Sequence, residues 1–122
     1  MGFLKRLGLD EDRLRAQEIR SWAAKVPGVD QIAVCRPRSR ARVVGIVQSI
    51  KVIPQEDTTR LEVQIFDGTD EITGVWFGRR RIPGIDLGKG LVMEGTIGNS
   101  RKRILEILNP EYQLLPASDL EH

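Results

Sequence analysis

The sequence predicts a mainly β protein in which a five-stranded Greek-key barrel follows one N-terminal amphipathic α-helix. The chain has 122 residues, enough for one hydrophobic core. Near residue 41 the spacing of apolar residues changes from the helical period to strict alternation, and turn-forming residues then separate five short segments. We expect a helix and linker over 1–35, a barrel over 36–117, and a tail over 118–122 that includes a vector-derived scar.

The N-terminal segment predicts a helix with one apolar face. Asp10 is a plausible N-cap, because two further acidic residues follow it in the first turn. Four apolar residues recur at helical spacing: Ile19, Trp22, Ala23 and Val26. Pro27-Gly28 ends the helix. The apolar stripe either docks on the barrel or contacts a partner chain.

Alternation and turn signals predict strands over residues 41–54, 60–67, 71–78, 91–98 and 103–108. Gly45 lies in the long first strand, where a glycine often marks a bulge or bend that lets one strand cross both halves of a small barrel. Asp67-Gly68 predicts a tight hairpin. The connection over 79–90 is longer, with room for one short helical turn, and 111–115 is an extended tail.

This strand order is typical of the OB-fold, a partly open Greek-key barrel. An SH3-like barrel is the alternative, and the long connection between the third and fourth strands favours the OB-fold.

Composition argues against catalysis. The chain has one cysteine, Cys35, and one histidine, His122, so neither a disulfide nor a metal site is predicted. We expect no cofactor, and we expect Cys35 to be a structural thiol. The paired carboxylates at 56–57 and 70–71 lie in turns, where acidic residues are common for local backbone reasons. With no long apolar run and no signal peptide, we expect a cytoplasmic protein that is not an enzyme and has no membrane partner.

Basic residues are clustered although the net charge is only +2. Residues 36–103 hold 13 Lys and Arg against 8 Asp and Glu. The clusters are Arg36/Arg38/Arg40/Arg42, Arg79/Arg80/Arg81 and Arg101/Lys102/Arg103. Clustered arginine is typical of surfaces that bind polyanions, although any single cluster can be a solvated face. We expect barrel closure to gather the three clusters on one positive surface.

An OB-fold binds oligonucleotides across its second and third strands, between the turns that follow strands one and four. The predicted phosphate ligands are Arg38, Arg40, Arg42, Arg60, Arg79, Arg80, Arg81, Arg101, Lys102 and Arg103. The predicted base-stacking residues are Trp76 and Phe77. Adjacent residues point to opposite faces of a strand, and alternation favours Trp76 outward and Phe77 toward the core. A bulge at Gly74 would reverse this assignment.

Four segments resemble a known family: Val43-Val44-Gly45-Ile46-Val47, Phe66-Asp67-Gly68-Thr69, the stretch from Gly74 to Ile85, and Asn109-Pro110-Glu111-Tyr112. Over about residues 40–115 the chain resembles the OB-type wedge domain of the RecG branch-migration helicase and short stand-alone actinobacterial OB-fold proteins that bind nucleic acid. The resemblance implies binding of single-stranded or junction DNA, with DNA favoured over RNA.

The resemblance has two limits. The chain lacks a Gly-x-x-x-x-Gly-Lys-Ser/Thr loop, so it implies no motor activity. Three arginines also follow Phe77 where the wedge family has further aromatic residues. The resemblance therefore implies electrostatic holding of a backbone rather than separation of bases by stacking.

A protein-interaction module is the alternative function. In that case the helix would mediate homodimerisation or docking to a larger DNA-processing assembly. A nucleic-acid binder loses affinity linearly with log salt, whereas an interaction module binds no oligonucleotide even at low salt. Charge reversal at Arg79, Arg80 and Arg81 should weaken binding, and unchanged affinity would place the site elsewhere.

Overall fold

The computed structural model describes the backbone of residues 2–100 and 102–115, and the side chains of 11–100 and 102–115. Its elements are α1 (Gly2–Ala24), a 3-10 turn (Ile32–Val34), β1 (Arg40–Pro54), β2 (Thr59–Phe66), β3 (Glu71–Phe77), β4 (Gly90–Asn99), β5 (Leu105–Leu108) and β6 (Glu111–Leu115). Within the described residues, no helix combines the length and apolar character needed to cross a bilayer.

The strands form one sheet in the order β1-β2-β3-β5-β4-β6, and β1 also pairs with β4. Every pairing is antiparallel except that of β3 with β5. The second pairing of β1 returns the sheet to its first strand, which is the strand order of an OB-fold barrel. The predicted fold class is confirmed. Residues 111–115, expected as an extended tail, form a strand on the edge of β4.

The long first strand serves both halves of the barrel. Its Ile46 pairs with Phe66 of β2 and with Gly90 of β4, so the strand changes partner at this position. A Cβ atom on the neighbouring Gly45 would lie 2.8 Å from the carbonyl oxygen of Phe66. Gly45 therefore permits a close approach of two backbones. The bulge lies further along, between Val47 and Ser49.

Alternate residues of β1 to β5 fill the barrel interior with branched aliphatic side chains. The connection between β3 and β4 closes one end of this core, because its Ile82 and Ile85 are buried in the same cluster. It contains turns, and the short helical turn for which it has room does not form.

The helix packs on the outside of the barrel. Ile19, Trp22 and Ala23 are buried against Val44 of β1 and Val92 of β4. The apolar stripe therefore docks within the chain. The prediction of Asp10 as N-cap is wrong: the helix starts at Gly2, so Asp10 lies inside it. The acidic residues after Asp10 resembled a first helical turn, and the helical pattern before it is too weak to reveal the true start.

Candidate functional site

A groove of about 480 Å³ crosses the outer face of β2, β3 and β5. The turn between β1 and β2 borders it on one side, and the turn between β4 and β5 on the other. Its lining residues are Lys51, Ile53, Gln55, Arg60, Glu62, Thr73, Ser100, Lys102, Ile104 and Glu106. This is the face on which OB-folds bind oligomeric ligands.

Strand register brings the groove residues together. Lys51 and Ile53 of β1 lie opposite Glu62 and Arg60 of β2. Arg60 lies opposite Phe77 of β3. Because side chains alternate between the two faces of a strand, all of these point away from the core.

Arg60 is held in the floor of the groove by two carboxylates. Its Nε donates a hydrogen bond to Glu62 at 2.7 Å, and its guanidinium also pairs with Glu106. The hydrogen bond that Arg60 donates to Glu62 is the main reason that the pKa of Arg60 is raised. The guanidinium carbon lies 5.9 Å from the centre of the Phe77 ring, within the range of a cation–π contact. We predicted Arg60 to be a phosphate ligand. In the structure, Glu62 and Glu106 already compensate its positive charge.

The rims of the groove carry uncompensated charge. Among the side chains that the structure describes, Lys51 and Lys102 form no ion pair, and both are exposed. Lys102 lies in a turn that Ser100 organises, because the Ser100 hydroxyl accepts hydrogen bonds from the backbone N–H groups of Lys102 and Ile104. The neighbouring Arg103 is also exposed. Arg101 lies outside the described residues.

The predicted orientation of Trp76 and Phe77 is wrong. Trp76 is 5% exposed and belongs to the barrel core, whereas Phe77 is 38% exposed on the groove side. The register of β2 and β3 runs through Gly74 without a break. A Cβ atom on Gly74 would lie 3.1 Å from the Trp76 ring, so the glycine leaves space that the indole fills. Trp76 cannot stack on a base in this structure, and Phe77 is the aromatic residue available for stacking.

The cluster Arg79/Arg80/Arg81 is exposed but lies outside the groove. Arg80 and Arg81 line a separate cavity of about 150 Å³ together with Leu61 and Val63. Leu61 and Val63 belong to the inner face of β2, opposite the face that carries Arg60 and Glu62. This cluster therefore lies behind the β1–β2 ribbon.

The first arginine cluster is at the other end of β1. Arg40 and Arg42 both pair with Glu94 of β4, at 3.1 and 3.2 Å. These hydrogen bonds, that from Arg40 first, lower the pKa of Glu94. Arg42 also donates to Gln113 of β6. The expectation that barrel closure gathers the three clusters on one positive surface is thus wrong: the described arginines lie at three separate places on the barrel.

Sequence reasoning missed Lys51, Ile53 and Ile104. Lys51 and Ile53 alternate along β1 with the inward positions, so alternation together with the usual OB-fold binding face could have identified them. Ile104 is 43% exposed in the turn between β4 and β5. No pattern in the sequence predicts an exposed isoleucine there.

Cys35 is half-buried, and its thiol donates to the carbonyl oxygen of Gln31 at 3.4 Å. Burial is the main cause of its raised pKa, and the nearby charges of Asp30 and Asp67 add to it. A raised pKa depletes the reactive thiolate. Between about pH 7 and 9 we expect iodoacetamide to alkylate the native protein more slowly than the urea-unfolded chain. Equal rates by mass spectrometry would contradict this prediction.

The strand order defines the class: this is an OB-fold protein with an open, mixed-charge groove on its outer face. Within the described residues, no group of three or more His, Cys, Asp or Glu side chains could hold a metal ion. The predicted site residues that lie in the groove are Arg60 and Lys102, with Phe77 beside them through its contact with Arg60.

No protein-family model and no curated protein sequence matches the chain. Among solved structures, that of RecG bound to a three-way DNA junction matches 69% of this chain with a TM-score of 0.55 and 20% identity. The match covers only 12% of that RecG chain. The solution structure of the replication factor A related protein from Methanobacterium thermoautotrophicum matches 71% of this chain and 90% of its own, with a TM-score of 0.54 and 15% identity. At such identities the likeness establishes the fold.

Proposed function

We propose that this protein binds single-stranded or junction DNA without strong sequence preference, in the groove between the β1–β2 and β4–β5 turns. The observation that carries the proposal is the pair of uncompensated lysines, Lys51 and Lys102, on the two rims of the OB-fold ligand face. One protein of similar fold is described as bound to a DNA junction, and the other as related to a replication factor.

The distribution of charge in the groove suggests how a strand lies in it. Glu62 and Glu106 occupy the centre and disfavour phosphates there, although Arg60 compensates part of their charge. Phosphates are favoured along the rims, near Lys51 and Lys102. Bases would then face the centre, and Phe77, beside Arg60, offers a stacking surface.

The expected binding is sequence-tolerant and dependent on salt. Contacts between lysines and phosphates fix position without reading bases. Stacking on one aromatic ring contributes about 1–3 kcal/mol per base and accepts any base. Among the described residues, one exposed aromatic ring lies beside the groove and few cations there are free, so we expect modest affinity.

The double variant Lys51→Gln/Lys102→Gln tests the proposal. Because it removes two phosphate contacts, we expect weaker binding of a fluorescein-labelled single strand. The slope of log affinity against log salt should decrease by about 1.4, or about 0.7 per contact. Fluorescence anisotropy between low and moderate salt measures both quantities.

The matched control is Arg13→Gln/Lys25→Gln, which removes two exposed positive charges from α1 and the residues after it. An equal loss of affinity in this control would show an effect of net charge and not of the groove. A larger loss on charge reversal at Arg79, Arg80 and Arg81 would move the site behind the β1–β2 ribbon. If the unmodified protein binds no oligonucleotide at low salt, the proposal fails.

The interaction-module alternative receives less support. It relied on a free apolar stripe on the helix, and that stripe is buried against the barrel.

A further inference from the structure

A second concavity, of about 420 Å³, lies beside the groove on the outer face of β4 and β5. Its walls include Arg40, Thr96, Gly98 and Leu108. Nothing in the proposed function uses it.

The two concavities form a continuous surface. Glu106 lines the groove, and Leu108, two residues further along β5 on the same face, lines the second concavity. Gly98 pairs with Glu106 across the β4–β5 ladder, and with no side chain it raises no barrier between the two. Leu108 is 54% exposed and offers an apolar contact along the way.

The arginines on the far side of the second concavity are largely balanced by acidic residues, and Arg38 lies next to it through its backbone contact with Ile97. Arg40 and Arg42 share one carboxylate, Glu94, so these three residues together keep one positive charge. Glu111 also lines the concavity and subtracts one. Arg38 is exposed and, among the side chains that the structure describes, forms no ion pair. Arg38 is therefore the cation best able to meet a phosphate here.

Arg38 has a strained backbone conformation. Its φ is 71°, in the left-handed region that residues other than glycine and asparagine rarely adopt. Its N–H donates to the carbonyl oxygen of Ile97 at 2.8 Å, which fixes the turn beside the end of β4. Arg103, in the turn that follows β4, has a φ of 61°. Arginine at positions where glycine would be less strained suggests that the side chains are used.

We propose that the nucleic-acid strand held in the groove continues over β5 and β4, and that Arg38 holds the phosphodiester backbone of this extension. The inference rests on the proposed function. Three strand spacings separate Thr73 on β3 from Arg40 on β1, or roughly 14 Å. This distance lengthens the site by a few nucleotides, within the range of about 4–16 nucleotides that one OB-fold covers.

Binding of two oligothymidylates to the full chain tests the extension. One has about 5 nucleotides, enough for the groove, and the other about 12, enough for groove and extension. The Arg38→Gly variant removes the charge and relieves the backbone. We expect it to weaken binding of the longer strand at least about threefold, lower its salt slope by about 0.7, and leave the shorter strand unchanged. The melting temperature should stay the same or rise.

Two further variants separate the outcomes. Lys25→Gln, which removes one charge elsewhere, should change neither affinity. Lys51→Gln/Lys102→Gln should weaken both strands. If Arg38→Gly leaves the longer strand unaffected, or weakens both strands equally, the extension is wrong while the groove stands. If the unmodified protein binds neither strand, the proposed function itself has failed. Should Arg38→Gly lower the melting temperature, Arg38→Gln with the same two strands decides the matter.

Discussion

Replacing Trp76 with alanine is expected to lower the free energy of unfolding by about 3–5 kcal/mol. The indole is almost fully buried in the barrel core, and the Tyr112 ring packs edge-on against it with centroids 5.9 Å apart. The substitution removes these contacts and leaves a cavity beside Gly74. Urea unfolding followed by far-UV circular dichroism measures the loss. Since many domains are stable by only about 5–15 kcal/mol, the variant will be close to unfolding at physiological temperature.

The matched control is the same substitution one residue later. Phe77→Ala removes a partly exposed ring from the groove, so we expect a loss of stability of about 1 kcal/mol or less. It should, however, weaken binding of a single strand by about 1–3 kcal/mol, the contribution of one stacked base. A larger stability loss for Phe77→Ala than for Trp76→Ala would mean that the two side chains have exchanged faces.

The Trp76 assignment shows where sequence patterns mislead. Gly74 precedes Trp76 by two residues and shares its face, so the face looked too light to be core. Gly74 leaves a space on this face, and the Trp76 indole and the Met93 side chain occupy it. Alternation predicts which residues share a face of a strand. It does not predict which face is buried when a large side chain fills the space beside a glycine.

The positions of the first five strands, in contrast, could be predicted because they depend on local signals. Alternating apolar residues and turn residues such as Asp67-Gly68 and Asn109-Pro110 delimit the strands within a few positions. The sixth strand could not be predicted in this way. Residues 111–115 are exposed along most of their length, and only their pairing with β4 makes them a strand.

The candidate site was predicted less well because its charges are decided by distant partners. Arg60 and Glu106 are 46 residues apart in sequence, yet they form an ion pair. Arg42 and Glu94 are 52 residues apart. A cluster of arginines in the sequence shows where positive charge originates. Only the register of the folded sheet shows which of it remains uncompensated, and among the described side chains Lys51 is a cation without an ion pair.

Gly45→Ala is expected to destabilise the protein by about 3 kcal/mol, the upper end of the range for overpacking. At the next residue, Ile46, β1 leaves β4 and joins β2. The new Cβ would lie 2.8–2.9 Å from backbone atoms of Phe66, closer than real Cβ contacts come. Backbone atoms of a paired strand cannot turn aside as a flexible side chain can. The clash must therefore open the ladder beside Ile46, where the two halves of the barrel meet.

Gly98→Ala is the control, because it places the same methyl group on a strand glycine of the same barrel. There the nearest atom, the carbonyl oxygen of Glu106, is 3.7 Å away, an ordinary contact. We expect Gly98→Ala to be neutral or to stabilise by up to about 1 kcal/mol, because alanine restricts the unfolded chain. Urea unfolding of both variants compares them directly. Similar free energies of unfolding for the two variants would mean that the close approach of β1 and β2 does not require glycine at position 45.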